Sequence, residues 1–321
     1  MEFWYGPLEK INLKKYHLLI IGGTGFIGHH LALKGVKIFS KVTSISLNPP
    51  TKTRKVSGVK YIQLDLSKIK NVNSFKWEDY EYVINLVGYI GHDLFVNGGR
   101  KYIDQHFTSL MNILETLPRK KLKKFIQIGS SDEYGDNISP QKETFREQPI
   151  SPYSFSKVAA TYFLQMLSKT ENFPSLIVRL FLTYGPGQNN LRFIPQVIKG
   201  CLDGKSFPSS FGEQKRDFLF VEDATDAIFS LLRIDNANGK VINVASGEAI
   251  SIKEVMEKIR KLIGNGFPDY GKISYRKSES MDLYADINII KELTNWEPKT
   301  DLNTGLIKTI SWYKDNAIEK K

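Results

Sequence analysis

A glycine-rich turn set between a short apolar run and an amphipathic stretch constrains this chain more than any other feature. Residues 17–22 read HLLIIG, and residues 21–28 continue as IGGTGFIG. An unbroken apolar run of this length, closed by glycine, is the pattern of a strand buried on both faces in a parallel sheet. In such a strand–turn–helix unit Gly22 permits the tight turn, Gly25 lets the backbone approach a pyrophosphate, and Gly28 allows close packing of helix on strand. The helix N-terminus then offers backbone N–H groups and partial positive charge to the phosphates. A dinucleotide is the expected ligand.

The rest of the chain continues the alternation. Further strand-like runs lie at 42–47, 61–64, 82–87, 124–129, 175–181 and 241–244, and helical stretches at 100–117, 153–170 and 221–232 separate several of them. Buried strands alternating with amphipathic helices predict an α/β fold, a Rossmann-type doubly wound parallel sheet. After about residue 183, loops rich in Gly, Pro and Ser (184–190, 206–211, 264–272) interrupt short helices. The expected division is a dinucleotide-binding domain over 1–182, with 215–247 partly interleaved, and a smaller C-terminal substrate-binding lobe over 183–321.

With 321 residues, 41% hydrophobic and 25% charged, core burial is not limiting. No apolar run reaches the roughly 20 residues that a membrane-spanning helix needs. The N-terminus carries Glu2 and Glu9 and has no apolar signal core, so a cytoplasmic protein without a membrane partner is expected. Phe3, Trp4 and Tyr5 are expected only to pack on the first strand or on a partner. Cys201 is the sole cysteine and the five histidines lack metal-ligand spacing, so neither a disulfide nor a metal centre is expected. Of the net charge of +11, much comes from residues 1–64, where ten Lys/Arg face only Glu2 and Glu9. Such a field suits a polyanionic small ligand. Nucleic acid is not the expected partner, because helix-turn-helix, zinc-finger and aromatic-studded basic patterns are missing.

Residues 151–157 read SPYSFSK, with Tyr153 and Lys157 four apart on one helix face. A phenol with a pKa near ~10 is a poor base at neutral pH. A lysine one turn away, together with a cationic nicotinamide, favours the phenolate. The strand at 124–129 runs into Ser130-Ser131-Asp132-Glu133-Tyr134-Gly135. That puts a hydroxyl at the C-terminal strand edge, where ligands bind in such sheets. Ser130 is the expected donor to the substrate oxygen, shared with Tyr153; Ser131 is the alternative. At the end of the second strand an acid normally accepts from the ribose 2′-OH of NAD. Ser46, Leu47 and Asn48 stand there instead, with Lys52 and Arg54 just downstream. A 2′-phosphate meets no repulsion, so NAD(P)(H) is the expected cofactor, with NADP ahead of NAD. Asp65 and Leu66, after the third strand, are expected beside the adenine.

The spacing of Gly22, Gly25 and Gly28 is typical of short-chain dehydrogenases. From His17 to about Gly305 the chain resembles an extended short-chain dehydrogenase of the NAD-dependent epimerase/dehydratase family. The resemblance extends to Glu143, Tyr184-Gly185-Pro186-Gly187-Gln188, Arg216-Asp217-Phe218 with Val221 and Asp223, residues 243–247, and LTNWEP at 293–298. It implies NAD(P) on the Rossmann domain, with Thr24, Phe26, Ile27, Leu86 and Val87 completing the cofactor set, and a nucleotide sugar in the C-terminal lobe. Arg216 and Arg276 would grip the diphosphate or nucleoside, Arg192 would assist, and Thr183 joins the substrate set. Three departures stand out. Leu182 replaces an asparagine that commonly holds the diphosphate, and His106 replaces another common asparagine. The loop 88–93 (GYIGHD) puts His92 near the nicotinamide, as a sugar contact or a plain loop residue. The stretches 100–117 and 153–170 resemble helices that pair into a four-helix bundle in dimers, which implies a homodimer.

Reactions of this family begin or end with hydride exchange at a sugar carbon, usually C4. A 4,6-dehydratase also needs an acid and a base beside the serine. The matching positions are Ser131 and Asp132, so one carboxylate is present. A 4-epimerase needs a tightly held cofactor and room for the keto-sugar to turn. The segments IGSSDEYG, RLFLTYGPGQ and GEQKRDFLFV most resemble 4-keto-sugar reductases that finish deoxysugar nucleotides. That reductase is the expected activity, with 4-epimerase and 4,6-dehydratase as alternatives. A dinucleotide-binding sensor without chemistry would lack Ser130, Tyr153 or Lys157, and all three are present.

Overall fold

The computed structural model describes residues 12–91, 93–275 and 279–318; Phe3, Trp4, Tyr5, His92 and Arg276 lie outside them. Seven strands form the central sheet: β1 (His17–Ile21), β2 (Lys41–Ser46), β3 (Val59–Gln63), β4 (Tyr82–Asn85), β5 (Lys124–Ser130), β6 (Ser175–Leu180) and β7 (Val241–Val244). Their order is β7-β6-β5-β4-β1-β2-β3, and every neighbouring pair is parallel. All seven runs read from the sequence are strands, with ends that move by one or two residues. The order reverses between β1 and β4, and the crevice at the carboxyl ends of such strands is where open α/β sheets take ligands.

Every residue of β1, β4, β5 and β6 is buried, which explains their unbroken apolar character. Successive side chains still point to opposite faces. Leu18 and Ile20 share a core with Leu31 and Ala32 of helix Phe26–Ile38 and with Ala224 and Ile228 of helix Val221–Leu231. Leu19 and Ile21 join Leu110 and Ile113 on the other face, with Ala160 and Leu164 of helix Pro152–Glu171. Each buried leucine or isoleucine contributes about 1.5–3 kcal/mol.

Helix Pro152–Glu171 starts with a reciprocal cap. Ser154 N donates to Ser151 Oγ at 3.1 Å, and Ser151 N donates to Ser154 Oγ at 2.9 Å, with Pro152 in the first turn. The stretch expected as one helix at 100–117 is instead interrupted. Arg100–Ile103 and Ser109–Thr116 are α-helical, and a π-type turn at Asp104–Thr108 joins them. Such wider turns recur at functional sites. Here the turn holds His106, which is buried.

A second, smaller core gathers Ile198, Val255, Ile259 and Leu306 from helices Phe193–Leu202, Ile252–Ile263 and Leu302–Ile318. Beside it, Leu182–Tyr184 pairs with Phe218–Phe220, and Lys215–Arg216 lies between Ile250–Ser251 and Asp282–Leu283. Among the described residues no helix is long and apolar enough to cross a membrane, and no group of His, Cys, Asp and Glu could hold a metal ion.

Candidate active site

β1 ends at Ile21, and Gly22 turns the chain with φ of 84°, a left-handed conformation natural to glycine. Gly22 N donates to Ile45 O at 2.7 Å, and Gly25 N donates to Gly22 O at 3.0 Å. The helix starts at Gly25, with no side chain capping its first N–H groups. A Cβ on Gly28 would stand 2.3 Å from Gly22 O, so only glycine lets the helix lie directly on the turn. Open N–H donors above a cradle that a side chain would fill fit the pyrophosphate of a dinucleotide.

Several of the other expected cofactor residues adjoin this turn. Ser46 braces it, because Thr24 N donates to Ser46 Oγ at 3.3 Å. Leu86 N donates to Ile21 O at 2.9 Å, and Val87 N to Asn85 Oδ1 at 3.1 Å, so both leave β4 beside the turn. Phe26 and Ile27 are half-buried in the first helical turn, and Asn48 is exposed. Asp65 Oδ1 accepts from Ser67 N at 3.0 Å, and the carbonyl of buried Leu66 accepts from Asn112 Nδ2 at 2.9 Å. Arg54, one of the cations downstream of β2, is turned to two carbonyls: Nη1 donates to Thr24 O at 3.2 Å and Nη2 to Gly187 O at 2.8 Å.

β5 brings Ser130 to the same end of the sheet. Asp132 N donates to Ser130 Oγ at 3.1 Å, and Ser130 N donates to Glu133 Oε1 at 2.9 Å, which fixes the short helical turn Ser131–Glu133. Both serines are buried, and Ser130 hydrogen-bonds Tyr153. Tyr153 is 3% exposed. Burial, then the Asp132 charge, hold its phenol above the ordinary range, and the Ser130 hydrogen bond and the Arg192 charge pull the other way. Lys157 Nζ donates to Ile128 O at 2.8 Å and lies 5.9 Å from the Tyr153 ring centre. Burial pushes Lys157 down to about 8. Lys157, together with a cationic nicotinamide, was expected from the sequence to favour the Tyr153 phenolate. Burial is the largest influence on the phenol, and the Lys157 ammonium is turned to a backbone carbonyl.

Glu133, next to Asp132, has a different task. Its Oε2 accepts from Arg179 Nε at 3.0 Å and from Thr161 Oγ1 at 2.8 Å, and Arg179 also pairs with Glu147. Glu133 and Arg179 are both fully buried. Asp132 is half-buried, and its charge reaches Tyr153, Lys157 and Arg216. Sequence reasoning missed this division of labour, since nothing local distinguishes two adjacent acids.

His106 was noted only as a departure from the family pattern. It stacks edge-on against Tyr153, with ring centres 5.1 Å apart, and its Nε2 donates to Tyr89 O at 3.1 Å. Gly88 passes so close that a Cβ there would sit 2.2 Å from the imidazole. Burial, aided by the Lys157 charge, pushes His106 down to about 3, which makes it a neutral wall behind the tyrosine.

On the substrate side, Arg216 is half-buried and ion-paired with Glu279, and Arg192 is exposed at the start of helix Phe193–Leu202. Thr183 Oγ1 donates to Phe181 O at 3.3 Å. Asp217 is structural: its carboxylate accepts from the backbone N–H groups of Ser246, Gly247 and Ala285. His92 and Arg276, both expected at the substrate, fall outside the described residues.

The model of the NAD dependent epimerase/dehydratase family matches residues 18–245. The UDP-glucuronate 4-epimerase of Thermodesulfobacterium geofontis is 26% identical over 317 residues, spanning 94% of this chain and 97% of that protein. The dTDP-D-glucose 4,6-dehydratase of Homo sapiens is 26% identical over 328 residues, spanning 93% and 90%. A UDP-glucuronic acid 4-epimerase from Bacillus cereus, solved in complex with UDP-4-deoxy-4-fluoro-glucuronic acid and NAD, is 25% identical with a TM-score of 0.82, over 94% of this chain and 99% of that one. Matched along most of its length, on a sheet whose glycine turn sits at the topological switch, this chain belongs to the NAD-dependent epimerase/dehydratase family.

Proposed function

We propose that the protein exchanges a hydride at C4 of a nucleotide-linked sugar without eliminating water, as a nucleotide-sugar 4-epimerase. The engagement of Glu133 by Arg179 carries this reading. The relatives named above are 4-epimerases and a 4,6-dehydratase. Dehydration needs a further acid and base beside the hydroxyl pair. Asp132 supplies one carboxylate, while Glu133 is taken up by Arg179, Thr161 and the Ser130 N–H. Reduction of a 4-keto-sugar nucleotide, the activity expected from the sequence, is the second reading. It is favoured by the segments IGSSDEYG and GEQKRDFLFV, and by a Tyr153 held protonated, the state that quenches a new alkoxide.

When bound, the nicotinamide takes up or returns the C4 hydride. Ser130 and Tyr153 hydrogen-bond the C4 oxygen, and Tyr153 moves its proton. Lys157 keeps a positive charge one turn away. His106 closes the space behind the phenol against water, and Arg216 and Arg192 offer positive charge to the diphosphate. NAD is the proposed cofactor: the family description names it, and the Arg54 guanidinium is directed at Thr24 and Gly187 rather than left for a 2′-phosphate. The division into 1–182 (with 215–247) and 183–321, and a cytoplasmic location, belong to the same proposal.

The test is incubation with UDP- and dTDP-linked hexoses and with 4-keto-6-deoxy sugar nucleotides, identifying the released sugars and following NAD(P)H. Interconversion of C4 epimers without net NADH formation supports the epimerase. Steady NAD(P)H oxidation with keto-sugars establishes the reductase. A 4-keto-6-deoxy product from an intact nucleotide sugar overturns both.

A homodimer is part of this proposal. Phe155, Tyr162 and Met166 are 50%, 53% and 43% exposed on helix Pro152–Glu171, at spacings that align them in one stripe. A second copy of the helix would cover that stripe. Light scattering is expected to give twice the 36.6 kDa mass of the chain, and a single-chain mass would refute the dimer.

A further inference from the structure

Three side chains converge on the loop 184–188 of the substrate lobe. His30, on the helix behind the glycine turn, meets Pro186 O through Nε2 at 3.0 Å. Tyr313, on the C-terminal helix, donates to Gln188 O. Arg54 reaches in two directions at once. Nη1 holds Thr24 O, inside the glycine turn, and Nη2 holds Gly187 O, in the lobe. These partners lie 30 and 133 residues from it in sequence. The arginine is itself anchored, because Arg54 O accepts from His29 Nδ1 at 3.0 Å. Its guanidinium is half-buried, so the two charge-assisted bonds are shielded better than those of a surface arginine. A rigid planar fork that bridges two carbonyls suits arginine and not lysine.

From this geometry we infer that Arg54 is a latch on the cofactor, bolting the phosphate turn to the substrate lobe and setting how fast the dinucleotide exchanges. Any movement of loop 184–188 away from the turn breaks the bond from Arg54 to Gly187. The inference rests on the dinucleotide lying on the glycine turn, and it holds for either C4 reaction. Arg54 is thus a positioning residue rather than a catalytic one. The competing role for the same side chain is a grip on the 2′-phosphate of NADP.

The experiment loads purified protein with NADH or NADPH, displaces it with excess oxidised nucleotide in a stopped-flow instrument, and reads release from the fluorescence. Bonds from a charged donor are worth about 10–100-fold in rate, so Arg54→Ala is expected to release NADH that much faster. Arg54→Lys should fall between Arg54→Ala and the native protein. Tyr313→Phe, which frees the loop from the C-terminal helix, should also accelerate release, while Lys37→Ala, at an exposed position, should not. Thermal melts of each variant without nucleotide report folding, and if Arg54→Ala fails to fold, Tyr313→Phe and Arg54→Lys carry the test. Unchanged NADH release in folded Arg54→Ala and Tyr313→Phe overturns the latch. So does a weakening confined to NADPH, which marks a 2′-phosphate grip. Failure of the native protein to bind either nucleotide overturns the dinucleotide site, and the latch with it.

Discussion

Replacing Tyr153 by phenylalanine is expected to lower kcat by about 10²–10⁴-fold, the usual worth of a positioned proton carrier. Nucleotide binding and the melting temperature should stay near native values. The ring is 3% exposed and stacks on His106, contacts that phenylalanine keeps. Only the hydroxyl is lost, and with it the partner of Ser130 and the group proposed to move the proton of the C4 oxygen. The sign of the pH effect follows from the raised phenol. Oxidation at C4 needs the phenolate, so its rate should climb as pH rises, whereas a step that needs the phenol should be flat through neutrality. The phenylalanine variant should lose the climb with pH. Steady-state rates across pH, with a binding titration and a melt, check this; a loss below about tenfold would mean that another group carries the proton.

The largest effect on stability is expected at Arg179. Replacement by methionine should cost about 3–5 kcal/mol, because removing one partner of a buried pair strands the other charge. Glu133 is fully buried and Glu147 nearly so, and Arg179 binds both. Adding Glu133→Gln to Arg179→Met removes one stranded charge and should recover part of the loss, a coupling that a double-mutant cycle measures in denaturant melts. A cost below about 1 kcal/mol would put the pair in the class of surface salt bridges and remove the structural assignment of Glu133. The same carboxylate accepts the Ser130 N–H at 2.9 Å. Glu133→Gln alone should therefore slow catalysis as well, through a less firmly held serine.

Much of this molecule is readable along the chain. Strands buried on both faces announce themselves by unbroken apolar runs, and the glycine turn by residues that no side chain could replace, as the contact at Gly28 shows. Tyr153 and Lys157 are legible because helical spacing alone puts them on one face. What stayed hidden depends on partners far away in sequence. Asp132 and Glu133 are adjacent acids, and only Arg179, 46 residues beyond Glu133, decides which one faces the site. Arg54 reads as a cation near a ribose until Gly187, 133 residues away, takes one of its donors. The protonation of Tyr153 belongs to the same group, since burial sets it and burial is a property of the packed molecule. Periodicity and turn chemistry are local, so the sequence by itself determined the sheet, the glycine turn and the helix that carries Tyr153 and Lys157. Charge pairing and desolvation act between segments that meet only on folding, so the tertiary structure alone decided what each acid and base beside them can do.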